Sequence, residues 1–158
     1  MASKNKQLAG RYGRIARQLE ELFTTGPKAT DDPIARMASI AAVLHHKMPH
    51  FFWTGFYRRS GEQLVVGPYQ GPLACAVLPG RQGVCWTCVL QGEAIIVPDV
   101  HAFPGHVACD SRSQSEIVIP IREPAGNIVA VLDVDSEQPD AFGETDRAGL
   151  EEIVDLVY

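Results

Sequence analysis

Four cysteines, at positions 75, 85, 88 and 109, are the residues best suited to chemistry in this chain. They are too few and too unevenly spaced for a secreted disulfide scaffold, so they point to catalysis, metal binding or packing in a reducing compartment. Cys85-Trp86-Thr87-Cys88 opens a short helix-like run from Gly83 to Gly92. A pair so spaced fits a redox couple, because a helix N-terminus favours a thiolate, but its flanks lack the parallel βαβ pattern that supports such a couple. It also fits half of a zinc site completed by Cys109 with His101 or His106, although no second tight pair exists. For Cys88 the packing reading is favoured: a small apolar side chain on the buried side of a short helix.

Cys109 stands in "PDVHAFPGHVACDSRSQSEIVIP", residues 98–120, a constrained polar segment of the kind that encloses a small ligand. It is the natural nucleophile there, against the alternative of a buried loop thiol. His101 and His106 read as loop-fixing hydrogen-bonders rather than bases. Asp133 and Asp135 lie two apart on a predicted strand and therefore share one face, and Glu116 begins the strand before it. Such a strand end is either a solvated edge or a cation-binding site.

The elements that must position these groups follow from periodicity. Residues 5–24 are predicted helical, with Leu8, Tyr12, Ile15, Leu19, Leu22 and Phe23 on one face. A second helix follows "TDDP", with Asp31 or Asp32 as cap, Pro33 in the first turn, and Ile34, Met37, Ile40, Ala41 and Leu44 apolar. "FFWTGFYRR" and "GEQLVVGPYQG" form an antiparallel pair, "AIIVPDV" is a short strand, and residues 116–121 and 128–135 form a hairpin through Pro124, Gly126 and Asn127. Residues 144–157 close the chain as a helix. Helices at both ends of a strand-rich middle imply an α+β fold on a mainly antiparallel central sheet.

The 158 residues suit one domain, with about the first four N-terminal residues outside the ordered part. A net charge of −5 without a basic run leaves no footprint for nucleic acid. No apolar run approaches the ~20 residues of a membrane span, and no signal peptide is legible, so a cytoplasmic protein is expected.

"WTGFY", "GPYQGPLAC", "GRQGVC", "VPDVHAFPGHVACDSRSQSEIVIPI" and "AVLDVDSEQPDAF" together resemble the free methionine-(R)-sulfoxide reductases, single GAF-domain enzymes. The resemblance runs from about Tyr12 to the C-terminus, and Cys75, Cys85 and Cys109 stand in the family's order. It implies a GAF fold and reduction of free methionine-(R)-sulfoxide through a cysteine sulfenic acid and an intramolecular disulfide. By motif position Cys109 is the nucleophile, Cys75 the main resolving thiol and Cys85 an alternative. Glu116, Asp133 and Asp135 match the pocket carboxylates, and Trp53 and Tyr57 the aromatic wall. No bound cofactor or metal is implied. The expected partners are an external reductant of the thioredoxin/NADPH type and a second copy of the chain in a homodimer.

After "GVC" the chain departs from that family, which has a glycine and small residues where this sequence has Trp86 and Cys88. Trp86 is expected at the pocket mouth and Cys88 offers an extra thiol. The competing reading is a non-catalytic GAF module that binds a small ligand. "FGETD", residues 142–146, resembles part of a cyclic-nucleotide-binding motif but also reads as the start of a capped helix.

Overall fold

The computed structural model describes residues 2–158. Helix α1 spans Ala2–Thr24 and α2 Pro33–Lys47; strands β1 (Trp53–Ser60), β2 (Gln63–Gln70) and β3 (Val77–Leu78) follow. Helix α3 (Gly83–Gln91), strands β4 (Ile95–Val97), β5 (Ser115–Arg122) and β6 (Ile128–Ser136), and helix α4 (Glu144–Val154) complete the order. The six strands form one sheet in the order β3-β2-β1-β6-β5-β4, antiparallel throughout. The expected α+β architecture is thus observed.

Several boundaries move. Of the four residues expected outside the ordered part, Met1 lies outside the described residues, and Ala2, Ser3 and Lys4 form the start of α1. Leu22 and Ile34, expected on the apolar faces of α1 and α2, are exposed. Strand β3 carries only two residues and no periodicity, so nothing in the sequence marks it. "AIIVPDV" yields three strand residues before Asp99, whose side chain accepts from the His101 amide and caps a short 3-10 turn at Val100–Ala102. The closing helix tightens into another 3-10 turn at Asp155–Val157.

Asp32, not Asp31, caps α2 by accepting from the amides of Ile34 and Ala35 at 2.8 and 3.0 Å. "FGETD" is the entry to α4. Asp146 accepts from the Gly143 amide at 2.9 Å and from the Tyr12 hydroxyl at 2.7 Å, so it ties α4 to α1 as well as capping it. Gly149 lets the two helices meet: a Cβ there would overlap the Tyr12 ring.

The sheet separates two apolar clusters. On one face Phe56, Ile117, Ile119, Ile121, Ala130, Leu132 and Val134 pack against α1, α2 and α4. On the other, Trp53, Tyr57, Val118 and Val131 pack with Val84, Cys85, Trp86 and Cys88 of α3. Strand alternation assigns these sides, since successive side chains point to opposite faces. Glu116, Asp133 and Asp135 fall on the α3 side by the same rule.

Candidate functional site

Pairing register builds the floor of a cavity on the α3 face. Trp53, Asp135 and Glu116 sit opposite one another across β1, β6 and β5, and Gly55, Asp133 and Val118 form the next row. Gly55 has no side chain to fill its place, and the Trp53 ring uses the space. A Cβ at position 55 would lie 2.6 Å from the ring's Cη2. Trp53 therefore lies stacked on Tyr69 at 5.3 Å and Tyr57 at 5.8 Å between ring centroids, making an aromatic wall.

The wall also holds a loop. Trp53 Nε1 donates to the Pro72 carbonyl and Tyr57 Oη to the Cys75 carbonyl, both at 3.1 Å. Cys75 in that loop is joined by a disulfide to Cys109, thirty-four residues away in the loop before β5, with 5.6 Å between their Cα atoms. Cys109 itself lines the cavity, together with Trp53, Tyr57, Cys85, Glu116, Asp133 and Asp135. The loop bearing Cys109 is braced at its rim by Asp110. That carboxylate takes paired bonds from Arg112 at 3.0 and 2.8 Å, and the guanidinium lies over the Phe52 ring.

Electrostatically the floor is a cluster of acids that resist ionisation. Burial, reinforced by the neighbouring charges of Asp133 and Asp135, raises the Glu116 pKa well above the carboxylate range. Burial pushes Asp133 up to about 6, against the pull of polar contacts with Glu116 and Cys85. Asp135 is raised by burial and by Asp133, while a bond from Ser113 works the other way. Cys85, on the first turn of α3, is raised by burial and then by the same three carboxyls. The arrangement can hold a cationic group, and until one arrives it can hold a proton for an acceptor in the cavity.

The structure brings Trp53, Tyr57, Cys85, Cys109, Glu116, Asp133 and Asp135 to one cavity, with Cys75 bonded to Cys109, and leaves Trp86, Cys88, His101 and the cyclic-nucleotide motif outside it. Cys88 turns away, its Sγ donating to the Val118 carbonyl at 3.8 Å inside the core. Packing is the better account of it. Trp86 is a correction: it does not reach the pocket mouth but is 1% exposed in the core between α3 and the sheet. A nine-residue helix that is apolar almost all round gives no periodicity to say which way Trp86 points. The zinc set drawn from Cys85, Cys88, Cys109 and the two histidines is not assembled, since Cys109 is bonded to Cys75 and His101 is exposed and paired with Asp99.

Two members of the site were missed. His106, read as a loop-fixing residue, places Nε2 3.7 Å from Glu116 Oε2 and lines the cavity. Burial lowers its pKa, which favours the neutral imidazole. Ser113 is buried beside Asp135. Its position two residues before the strand whose second residue is the buried Glu116 is the only signal that marks it.

An antiparallel sheet with helices on both faces and a thiol-and-carboxyl cavity between loops defines a small-molecule-binding α+β domain. A family model described as GAF domain matches residues 34–157. "GAF domain-containing protein A" of Dictyostelium discoideum is 43% identical over 147 residues, spanning 92% of this chain and 89% of that one. The Escherichia coli protein named free methionine-R-sulfoxide reductase is 40% identical over 121 residues, 77% of this chain and 73% of the relative. An X-ray structure of free methionine-R-sulfoxide reductase from Neisseria meningitidis in complex with its substrate superposes with a TM-score of 0.86 at 38% identity, covering 94% of this chain and 87% of that one. The chain belongs to the GAF-domain family and, within it, to the family of the free methionine-R-sulfoxide reductases.

Proposed function

We propose that this chain, as one GAF domain, reduces free L-methionine-(R)-sulfoxide to methionine. The observation that carries the reading is the placement of Cys109 at a cavity whose floor is Glu116, Asp133 and Asp135 and whose wall is Trp53 and Tyr57. Carboxyls at the floor suit the substrate ammonium, and the stacked rings suit its S-methyl group.

In the proposed reaction the Cys109 thiolate attacks the sulfoxide sulfur while a floor carboxyl donates a proton to the oxygen. Transfer of that oxygen leaves methionine and a Cys109 sulfenic acid. The Cys75 thiol then attacks the sulfenic sulfur, water departs, and the disulfide between them forms. An external dithiol of the thioredoxin type reduces that disulfide, so the net change is one sulfoxide and one dithiol to methionine, water and one disulfide. The observed Cys75–Cys109 bond is the product such a sequence requires. Cys85 serves as an alternative thiol on the same floor.

Acids beside a nucleophilic thiol oppose its ionisation, and this conflict has a chemical use. A carboxyl kept protonated by burial places no negative charge near Cys109 before substrate binds, and then supplies the proton the departing oxygen needs. Glu116 fits that part best, because burial and two carboxyl neighbours both hold its proton.

The domain contains no helix long and apolar enough to cross a membrane among the described residues. A reducing cytoplasmic setting agrees with two unpaired thiols, Cys85 and Cys88. Homodimer assembly is part of the same reading and is measured by light scattering. The deciding experiment follows NADPH oxidation through thioredoxin and its reductase with free methionine-(R)-sulfoxide as the only acceptor. Turnover by the wild type and its disappearance in Cys109→Ser are expected; no turnover in the wild type would favour a ligand-binding module instead.

A further inference from the structure

Glu116 is buried, yet the reaction proposed for it creates a charge there. When its proton passes to the sulfoxide oxygen, the electron pair of the broken O–H bond stays behind on the carboxyl. That carboxylate stands beside Asp133 and Asp135 of β6, Cys85 of α3 and Tyr57 of β1, none of which can carry a positive charge. Its neighbour on β4 is the apolar Val97. A buried anion so placed is costly unless a donor meets it.

One such donor comes from outside the sheet. His106 Nε2 lies 3.7 Å from Glu116 Oε2, on a side chain 15% exposed against 7% for the glutamate, and the imidazole lines the same cavity. Its loop is held at two points. The His106 amide donates to the Phe103 carbonyl at 3.2 Å, and Val107 packs over Gly83 at the start of α3, where a Cβ would lie 3.2 Å from its Cγ2. Burial and the nearby His101 favour the neutral ring. Neutrality matters, because an imidazolium would draw the proton from Glu116 before substrate arrived, whereas a neutral N–H leaves it in place.

We infer that His106 is a positioning residue for proton donation: its Nε2–H turns to Glu116 Oε2 and stabilises the carboxylate that forms as the sulfoxide oxygen takes the proton. This role deepens the reductase reading and rests on it. A shift of about an ångström closes the gap to a hydrogen bond with an ionised acceptor. Such contacts are often long without substrate and tighten as the reaction proceeds. The bond favours the charged form of Glu116, which makes it a stronger acid at the moment of transfer. The transferred proton stays on the oxygen as the sulfenic hydroxyl of Cys109. Glu116 then regains one proton, equal to the one Cys109 released on ionising, so the net reaction is unaltered.

A single turnover isolates the step. The full chain is reduced, freed of dithiol and mixed with excess free methionine-(R)-sulfoxide, and methionine is followed by rapid quench across a range of pH. Reduction of the disulfide then plays no part in the rate. His106→Leu keeps bulk and removes the donor, while His106→Gln keeps a neutral N–H near the same place. In His106→Leu the rate should fall roughly tenfold or more, the scale of a hydrogen bond to a charged group, with the half-saturating sulfoxide concentration unchanged. The alkaline limb of its pH profile should move to higher pH, because Glu116 loses the bond that favours its ionisation. His106→Gln should recover most of the rate and return the limb toward its wild-type position. Asp133, Asp135, Cys85, Tyr57 and His101 are common to all three chains, so the shift belongs to position 106. Equal rates and limbs in wild type and His106→Leu overturn the inference. A His106→Gln chain as slow as His106→Leu does so too, since the ring would then have a structural part only. If the wild type forms no methionine, the reductase reading falls and this role falls with it; a productive wild type with unresponsive variants removes the role alone.

Discussion

The two faces of the sheet are made by the same strands, yet they are opposite environments one residue apart. On β5, Ile117, Ile119 and Ile121 enter the cluster under α1, α2 and α4, while Glu116 and Val118 face α3. On β6, Ala130, Leu132 and Val134 do the former, while Val131, Asp133 and Asp135 do the latter. The helix face is apolar and closed. The cavity face buries the carboxyls of Glu116 and Asp133 and the Cys85 thiol, and half-buries Asp135, groups that lower stability unless they stay protonated or find a partner. The two faces divide the labour: one supplies the stability that lets the other carry costly groups. A one-residue slip of β6 would exchange the two faces, so register is specified from both sides.

The largest effects are expected on the helix face. Leu132→Ala should cost about 2–5 kcal/mol of stability, read as a fall in Tm of about 5–15 °C, because a fully buried side chain leaves a cavity. Turnover per folded molecule well below that Tm should be nearly unchanged. Equal loss of specific activity would show that the two faces are not separable. Next in size is Gly55→Ala, whose methyl would displace Trp53 and overlap the Tyr69 side chain. About 1–3 kcal/mol of overpacking strain and a raised KM for the sulfoxide are expected, and a normal KM would remove Trp53 from the pocket wall.

Asp133→Asn sharpens the contrast because its effect on stability has the opposite sign. Asp133 holds its proton more tightly in the folded chain, with a pKa near 6 against an ordinary 3.8. The folded state therefore binds more protons than the unfolded state between those values. Its contribution is fully present below the lower value and is lost as pH rises through the upper one. The variant should melt a few degrees higher than wild type at pH 8, roughly 3–6 °C, with the difference closing toward pH 4, while activity falls. A Tm difference that does not vary with pH would mean Asp133 is not held protonated by burial. The smallest effect belongs to Cys88→Ser. The hydroxyl can keep the contact with the Val118 carbonyl, so about 1 kcal/mol or less and unaltered turnover are expected; loss of turnover would restore the redox-couple reading of Cys85 and Cys88.

Much of this division is legible in the sequence because a strand has a period of two. Asp133 and Asp135 declare a common face by spacing alone, and the Pro124–Asn127 turn places β5 beside β6, which brings Glu116 opposite Asp135. What joins Cys75 to Cys109 is not legible in that way. They lie in irregular loops thirty-four residues apart, with no periodicity to relate them, and only the family resemblance links them. Trp86 was misplaced for a similar reason, since an apolar helix of nine residues has no polar stripe to fix its rotation. His106 was undervalued because its partner Glu116 belongs to a different element, and a contact across elements leaves no trace in local sequence. Leu22 and Ile34 failed differently: each has the right spacing but lies at the edge of its stripe.

The hold of Trp53 and Tyr57 on the loop that carries Cys75 has a consequence for how this protein can drift. Both rings grip main-chain oxygens, those of Pro72 and Cys75, which every amino acid possesses. The loop's path is therefore insured against change in its own side chains. Leu73, 87% exposed yet bordering the cavity, sits between the two grips. It is the position where a lineage can alter the rim without moving the thiol two residues away.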